Sequence, residues 1–376
     1  MGWAALSELV PYYPLYALLF LDTGLSEAEI SVLFALWSIT AFVAEVPTGA
    51  LADHWSRRGS LVLAGFLQAA AFLVWTATPG FLAFAIGFVV WGVGGALMSG
   101  TSEALVYDGL AASGSEVAYV RVHGSMTSAE LLVQVPTAFL ASALYALGGY
   151  ALVGWVSVGI CLAAGLLALR FPEAPRTADD EDGGASLRAG VTAALRRPGV
   201  LLVVVAVALV GGLDAVEEYF PVLAADRGLS VPAVPVAILV IALAGAAGAA
   251  LAARVGRLPD QVLPVLLALA GVLLGAAAVL PAGPAIAAAA VFYALYLAVL
   301  VVAEARLHDR ISGPYRATLT SVAGVGIETA ALLVFGAWAV GGALAVAVVV
   351  LAVVPVAAAG LRAAEPGAVR VSDPRR

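Results

Sequence analysis

Long apolar runs separated by short polar or Gly/Pro-containing segments are the main pattern along the chain. A transmembrane helix needs about 20 mostly apolar residues. The pattern therefore predicts an all-α membrane protein with twelve transmembrane helices. The predicted spans lie near residues 3–21, 30–51, 60–78, 81–107, 119–146, 149–170, 199–223, 231–253, 262–280, 284–305, 317–338 and 341–361.

Arginine placement predicts the orientation of these spans. All 18 basic residues are arginines, and every one except Arg227 falls in alternate connections or in the C-terminal tail. Loops rich in positive charge stay in the cytoplasm, so we expect a multi-pass plasma-membrane protein with cytoplasmic N and C termini. The first run lacks a basic start and a small-residue cleavage site, so we expect no signal peptide.

One long connection divides the chain into two sets of six spans. Residues 172–198 contain the acidic stretch Asp179–Asp182, followed by amphipathic spacing in Ser186–Arg197. We predict a cytoplasmic linker with a short amphipathic helix at the membrane surface, with a flexible loop as the alternative. The predicted domains are a six-helix bundle at 1–171, this linker, a second bundle at 199–362 and a cytoplasmic tail at 363–376.

The two sets of spans repeat each other in sequence. The matching segments are separated by 198 to 207 positions, which predicts two parallel halves facing a central cavity. The pairs are Tyr12–Pro14 with Tyr219–Pro221, Asp22–Ser26 with Asp226–Ser230, Ala50–Ala52 with Ala250–Ala252, Glu103–Asp108 with Glu304–Asp309, and Glu130 with Glu328.

Composition narrows the possible functions. Apolar residues make up 63% of the chain and charged residues 11%, with mean hydropathy +1.04, so the polar surface is too small for a soluble protein. The net charge of −7 gives no reason to expect nucleic-acid binding. There is no lysine for a Walker A loop or a Schiff base. The single Cys161 provides neither a disulfide nor a thiolate metal site. The sequence has no nucleophile–base constellation, metal cluster or cofactor motif, so we expect no metal, no cofactor and no enzymatic activity.

One loop carries a recognisable motif. Gly49–Arg58 reads GALADHWSRR, which resembles the major facilitator superfamily motif between the second and third helices. Glu45–Gly49 (EVPTG) and Ser99–Asp108 (SGTSEALVYD) resemble a branch with an E-x-P-T-G-x-x-A-D second-helix motif. The resemblance implies twelve helices in two pseudo-symmetric bundles and secondary transport by alternating access.

The chain also departs from the family pattern. His54 and Ser56 replace the usual Arg and Gly, and Ala253 stands where the first half has Asp53. The fourth-helix arginine associated with many proton antiporters would fall at Phe88. These departures weaken an assignment as a drug–proton antiporter.

The motif predicts a conformational latch. Glycine permits close helix approach, and a carboxylate at a helix end accepts hydrogen bonds and pairs with arginine. In the family this latch joins the halves when the cavity opens outward; ordinary surface ion pairs are the alternative. The candidate latch residues are Gly49, Asp53, Arg57, Arg58 and Asp108.

Acids within the predicted spans are candidates for substrate or proton coupling, because an ionisable group there costs about 2.5–3.5 kcal/mol. They are Glu8, Asp214, Glu217, Glu45, Glu130 and Glu328. As alternatives, Glu45 satisfies backbone groups freed by Pro47, and Glu130 and Glu328 tie helices together. Glu218 lies near the outer loop, where a solvated position is equally consistent. The candidate cavity aromatics are Tyr12, Tyr13, Trp91 and Tyr219, with helix packing as their alternative.

These features together predict a proton-coupled exporter of small amphipathic or cationic molecules. We expect a monomer in the lipid bilayer, with a small-molecule substrate, protons as the coupling ion and no cofactor. The alternatives are a metabolite importer or facilitator, and a non-transporting membrane sensor on the same scaffold.

Overall fold

The computed structural model describes residues 1–173, 198–310 and 316–362, apart from the side chains of Asp53, Pro198, residues 316–319 and residue 321. Regular structure in these ranges is helical. The α-helices are α1 (Gly2–Glu8), α2 (Tyr16–Asp22), α3 (Glu27–His54), α4 (Arg57–Ala77), α5 (Phe81–Met98), α6 (Thr101–Ala112), α7 (Tyr119–Ala168), α8 (Pro198–Gly212), α9 (Phe220–Asp226), α10 (Val234–Val255), α11 (Val262–Ala277), α12 (Ala282–Arg310) and α13 (Arg316–Gly360). Short 3₁₀ segments are Glu116–Ala118, Leu213–Tyr219 and Val231–Ala233.

Eight helical stretches in the described residues are long and apolar enough to cross a membrane. Two of them, in α7 and α13, have non-helical backbone at Gly148–Gly149 and Gly341–Gly342, where one glycine of each pair has positive φ. Only glycine adopts that conformation at little cost. The helical membrane class is confirmed, whereas the count of twelve spans stays a prediction. The predicted linker helix at Ser186–Arg197 lies outside the described residues.

Helices pack mainly within each half of the chain, which we define as residues 1–173 and 198–362. In the first half α4 packs on α5 and α7, and α3 packs on α5. In the second half α10 packs on α12, α8 on α13, and α11 on both α12 and α13. The halves meet where α3 contacts α13 and where α7 contacts α10.

Glycine allows the closest of these approaches. A Cβ added at Gly65 would lie 2.7 Å from the Cα of Gly165, and one at Gly248 would lie 1.9 Å from the carbonyl oxygen of Ala294. Helices α4 and α7, and helices α10 and α12, therefore touch backbone to backbone. Because lipid tails are as apolar as the side chains, the hydrophobic effect does not drive helices together in the bilayer, and close van der Waals packing of this kind stabilises their association.

The helix is interrupted at two corresponding places. Residues 9–15, which contain Pro11 and Pro14, connect α1 to α2 without α-helix, and 11–15 form turns. Leu213–Tyr219 form the 3₁₀ segment between α8 and α9, just before Pro221. Irregular backbone at membrane depth is tolerated where it lies within protein or beside a cavity. Both interruptions carry the side chains that line the cavity described next.

Candidate functional site

A cavity of about 410 Å³ lies between the two halves of the chain. Its volume is within the range of pockets that hold small organic molecules. Its lining includes no Arg, Lys or His among the described residues. The lining residues are Glu8, Tyr13, Pro14, Tyr16, Trp37, Trp91, Gln134, Thr137, Ala138, Glu217, Glu218, Phe220, Pro221, Pro235, Ile238, Leu239, Ala242 and Tyr293.

Stacked aromatic rings form one wall of the cavity. The rings of Tyr13 and Trp91 lie 5.5 Å apart at an interplanar angle of 8°. Trp91 stacks in turn on Phe88 at 5.7 Å and packs against Trp37 at 5.4 Å. Phe88, at the position of the family's arginine, is fully buried in this cluster. The wall therefore offers flat apolar surface and π faces, which bind apolar groups and cations.

The second half contributes two acids that share one tyrosine. In a 3₁₀ segment residues three apart lie on the same face, so Asp214 and Glu217 point in the same direction. The Tyr293 hydroxyl lies 2.8 Å from Glu217 Oε2 and 3.2 Å from Asp214 Oδ1. Glu217 is exposed in the cavity, whereas Asp214 is half-buried behind it and is not a lining residue.

The remaining cavity acids come from both halves. Glu218 accepts a hydrogen bond from the Tyr16 hydroxyl, so this contact joins the second half to the first. Glu8 is half-buried in the lining, and Glu130 is its acidic neighbour in electrostatic range. The solvated alternative for Glu218 does not fit this half-buried, hydrogen-bonded position.

Several predicted site residues lie elsewhere. Tyr12 is buried beside α4 and α7, with its hydroxyl 3.2 Å from Thr76 Oγ1. Tyr219 is fully buried and stacks on Trp338, with ring centroids 4.2 Å apart. Both belong to the core, because their rings are already covered by protein. The predicted aromatics that do line the cavity are Tyr13 and Trp91.

Two predicted acids occupy helix surfaces. Glu45 is exposed and does not line the cavity. Beside Pro47 it is the Thr48 hydroxyl that donates to backbone carbonyls, at 2.7 Å to Ala44 O. Glu328 accepts a hydrogen bond of 2.7 Å from Ser38 Oγ, which ties α13 to α3.

A seam of contacts closes the halves at one end of the molecule. Near the start of α3, Ser31 Oγ accepts a hydrogen bond of 2.7 Å from Tyr219, and Phe34 packs on the Tyr219 ring. Near the end of α3, which carries the arginine-rich loop, a Cβ added at Gly49 would meet nothing within 4 Å. In the described part of the chain, no neighbouring helix approaches Gly49 closely in this conformation.

The candidate latch residues lie at the arginine-rich end. Arg57, at the start of α4, forms a salt bridge with Asp108 at the end of α6. Arg58 instead approaches Glu173 at 3.8 Å. Asp53 lies in the last turn of α3, and its side chain is outside the described part of the structure.

Sequence reasoning missed Tyr16 and Tyr293, which hold the cavity acids. Tyr293 follows Trp91 by 202 positions, so the internal repeat places the two at equivalent points of α12 and α5. Because Trp91 is a candidate cavity aromatic, the same repeat also makes Tyr293 a candidate. No comparable signal marks Tyr16.

Sequence and structure comparisons agree with this architecture. A sequence profile of the Major Facilitator Superfamily matches residues 2–345, and the chain belongs to that superfamily. It is a multi-pass membrane transporter rather than an enzyme. A search of curated protein sequences gave no match.

Solved transporter structures share the fold. The chain is similar to a mutant of the nucleoside transporter NupG, with a TM-score of 0.74 and 13% identity over 95% of this chain and 97% of that one. It is also similar to a D-xylose–proton symporter, with a TM-score of 0.68 and 15% identity over 94% and 95%. A third similar structure is an inward-facing, unoccupied bacterial homologue of the human lysosomal transporter Spinster, with a TM-score of 0.69 and 15% identity over 96% and 90%. At such low sequence identity, the structural likeness shows the fold alone and leaves the substrate open.

Proposed function

We propose that this protein is a secondary active transporter that exports small amphipathic or cationic molecules in exchange for protons. The observation that carries the proposal is the cavity between the halves. Its charged lining residues are the carboxylates of Glu8, Glu217 and Glu218, beside the stacked rings of Tyr13 and Trp91. Carboxylates and π faces attract a cation, and the apolar wall accommodates a hydrophobic body.

We propose twelve spans in two six-helix bundles, at 1–171 and 199–362, with 172–198 as cytoplasmic linker and 363–376 as cytoplasmic tail. The arginine-rich end then faces the cytoplasm of a plasma-membrane protein, and both termini are cytoplasmic. The seam at Ser31 and Tyr219 lies at the outer face. With the seam closed, the conformation is inward-facing, and export requires the halves to part along α3 and α13.

Proton coupling is proposed for the acids around Tyr293. A tyrosine hydroxyl carries a single proton, so it donates fully to either Asp214 or Glu217, not to both. A proton or a cationic substrate nearby relieves the repulsion between the two carboxylates. Competition between proton and substrate for the same acids is a simple basis for exchange. Glu8, with Glu130 nearby, is the corresponding group in the first half.

The loop motif is proposed to act as the latch of the outward-facing state, in a monomeric transporter of the E-x-P-T-G branch. The Arg57–Asp108 salt bridge positions the loop. Open space at Gly49 leaves room for the second half to approach when the cavity closes toward the cytoplasm. We propose that Asp53 and Arg58 contact the second half in that state.

The test uses a bacterial host without its own efflux pumps. Dye retention and susceptibility to a chemically broad panel of toxic cations are compared for the wild type, Asp214→Asn and Glu217→Gln. Protection by the wild type that a protonophore abolishes, and that both substitutions weaken, supports proton-driven export. The proposal fails if the wild type protects against nothing, or protects equally well without a proton gradient.

The importer alternative is favoured by the similarity in fold to a D-xylose–proton symporter. Inward accumulation of labelled sugars or nucleosides under a pH gradient would support it. The cavity offers few neutral polar groups, Gln134 and Thr137 among them, which favours the cationic substrate. A membrane sensor would bind ligand without moving it across proteoliposome membranes.

A further inference from the structure

The acids around the cavity form two groups on opposite halves of the chain. Glu8 lines the cavity from α1, and Glu130 of α7 is its acidic neighbour. We call this pair the Glu8 pole. Glu217 and Glu218 line the cavity from the 3₁₀ segment of the second half, and Asp214 is the acidic neighbour of both. We call these three acids the Glu217 pole.

Tyr13 of the aromatic wall is a neighbour of both poles. The Tyr13 hydroxyl is within electrostatic range of both Glu8 and Glu218, and the Tyr13 ring stacks on Trp91 at 5.5 Å. A ligand that contacts both poles would therefore also lie close to the Tyr13 ring. The cavity thus presents carboxylates from both halves of the chain together with apolar aromatic surface.

The two poles differ in how their charge is compensated. Glu217 accepts a hydrogen bond from Tyr293 and Glu218 accepts one from Tyr16. In the described part of the chain no side chain donates a hydrogen bond to Glu8, and no basic residue lines the cavity. Carboxylates held away from bulk water need a partner charge. A ligand with one cationic centre supplies that charge to one pole and leaves the other without it.

We propose that the preferred substrate is a dicationic amphiphile, with one ammonium, amidinium or quaternary ammonium centre at each pole and an apolar or aromatic segment along the Tyr13–Trp91 wall. This inference rests on the proposed cation transport and specifies its substrate class. Bare metal ions fit less well, because the described residues contain no group of three or more His, Cys, Asp or Glu that could hold one. The cavity of about 410 Å³ has room for a linked pair of charges.

The experiment uses the full chain in proteoliposomes with an imposed pH gradient. Two probes have the same alkyl chain length: a bis(trimethylammonium)alkane with a charge at each end, and the alkyltrimethylammonium with one charge. Transport of each is measured alone and in competition. The variants are Glu8→Gln, which removes the charge of the Glu8 pole, Glu8→Asp, which keeps it, and Glu116→Gln, an exposed acid outside the cavity.

The expected result is a wild-type preference for the dication of about ten-fold or more, corresponding to one well-made ionic contact. Glu8→Gln should abolish most of this preference, whereas Glu8→Asp and Glu116→Gln should retain it. The inference is overturned if Glu8→Gln reduces transport of both probes equally, or if its preference for the dication is unchanged. Transport of the single-charge probe without the dication overturns the inference and leaves cation transport standing. Wild-type transport of neither probe overturns both.

Discussion

Tyr16 in the first half of the chain donates a hydrogen bond to Glu218 in the second half, and both residues line the same cavity. Glu218 directly precedes Tyr219, whose hydroxyl forms the seam with Ser31. A proton or cation that engages Glu218 competes with the Tyr16 hydroxyl. We therefore expect cavity occupancy and closure of the seam to be linked through the Glu218 carboxylate.

Removal of the Tyr16 hydroxyl should loosen the seam. A hydrogen bond to a charged group contributes about 1.5–3 kcal/mol, so Tyr16→Phe should shift the population toward the open seam by about ten-fold or more. The measurement is the thiol-labelling rate of Ser31→Cys in a Cys161→Ala background, because Ser31 is only 3% exposed here. We expect faster labelling in Tyr16→Phe.

The control for this comparison is Tyr107→Phe, which alters a tyrosine at the other end of the molecule that is 49% exposed. Its labelling rate should match that of the parent. An unchanged rate in Tyr16→Phe would mean that the Tyr16–Glu218 bond does not hold the seam.

Loss of the Tyr293 hydroxyl should impair coupling. Tyr293→Phe leaves Glu217 and Asp214 without their shared donor, and a hydrogen bond to a charged group contributes about 1.5–3 kcal/mol. We expect gradient-driven transport to fall about ten-fold. The matched control is Tyr150→Phe, which also removes a tyrosine–carboxylate bond, 2.9 Å to Asp22, outside the cavity. Equal effects of the two substitutions would contradict a special role for Tyr293.

Hydrophobic patterning and arginine placement were enough to predict a helical membrane protein, and the loop motif at Gly49–Arg58 led to its superfamily. The cost of intramembrane charge selected Glu8 and Glu217, both of which line the cavity. These successes share a cause, because the bilayer penalises charge and unpaired backbone wherever they occur. The rule needs no knowledge of how helices face one another.

The sequence does not indicate in the same way which individual side chains point into the cavity. Tyr12 and Tyr13 are adjacent in sequence, yet one is buried beside α4 and the other lines the cavity. Helical periodicity does not apply, because residues 11–15, which include Pro11 and Pro14, form turns rather than helix. The 3₁₀ period that brings Asp214 and Glu217 to Tyr293 is likewise set by packing, and no local sequence signal indicates it.

The salt bridge at the end of α12 should matter for stability. Arg306 Nη2 lies 2.9 Å from Asp260 Oδ1, and Arg306 is only 11% exposed. Asp260→Asn weakens the compensation of a largely buried cation, and we expect a loss of about 2 kcal/mol in stability. Thermal unfolding in detergent measures it. Glu173→Gln, at 3.8 Å from the more exposed Arg58, should change stability by less than about 0.5 kcal/mol. A larger loss of stability in Glu173→Gln than in Asp260→Asn would contradict the expectation that the more buried salt bridge contributes more.

Two glycine substitutions should separate folding from conformational change. Gly248→Ala would drive a Cβ to within 1.9 Å of the Ala294 carbonyl oxygen, and overpacking of this kind costs about 1–3 kcal/mol. We expect a lower unfolding temperature and a lower yield of folded protein. Gly49→Ala meets open space in this conformation, so its thermal stability should equal that of the wild type. If the arginine-rich end of α3 closes on the second half during transport, Gly49→Ala should nevertheless reduce the transport rate. Wild-type transport by a normally stable Gly49→Ala protein would show that this end of α3 never packs tightly at Gly49, and the latch proposed there would be wrong.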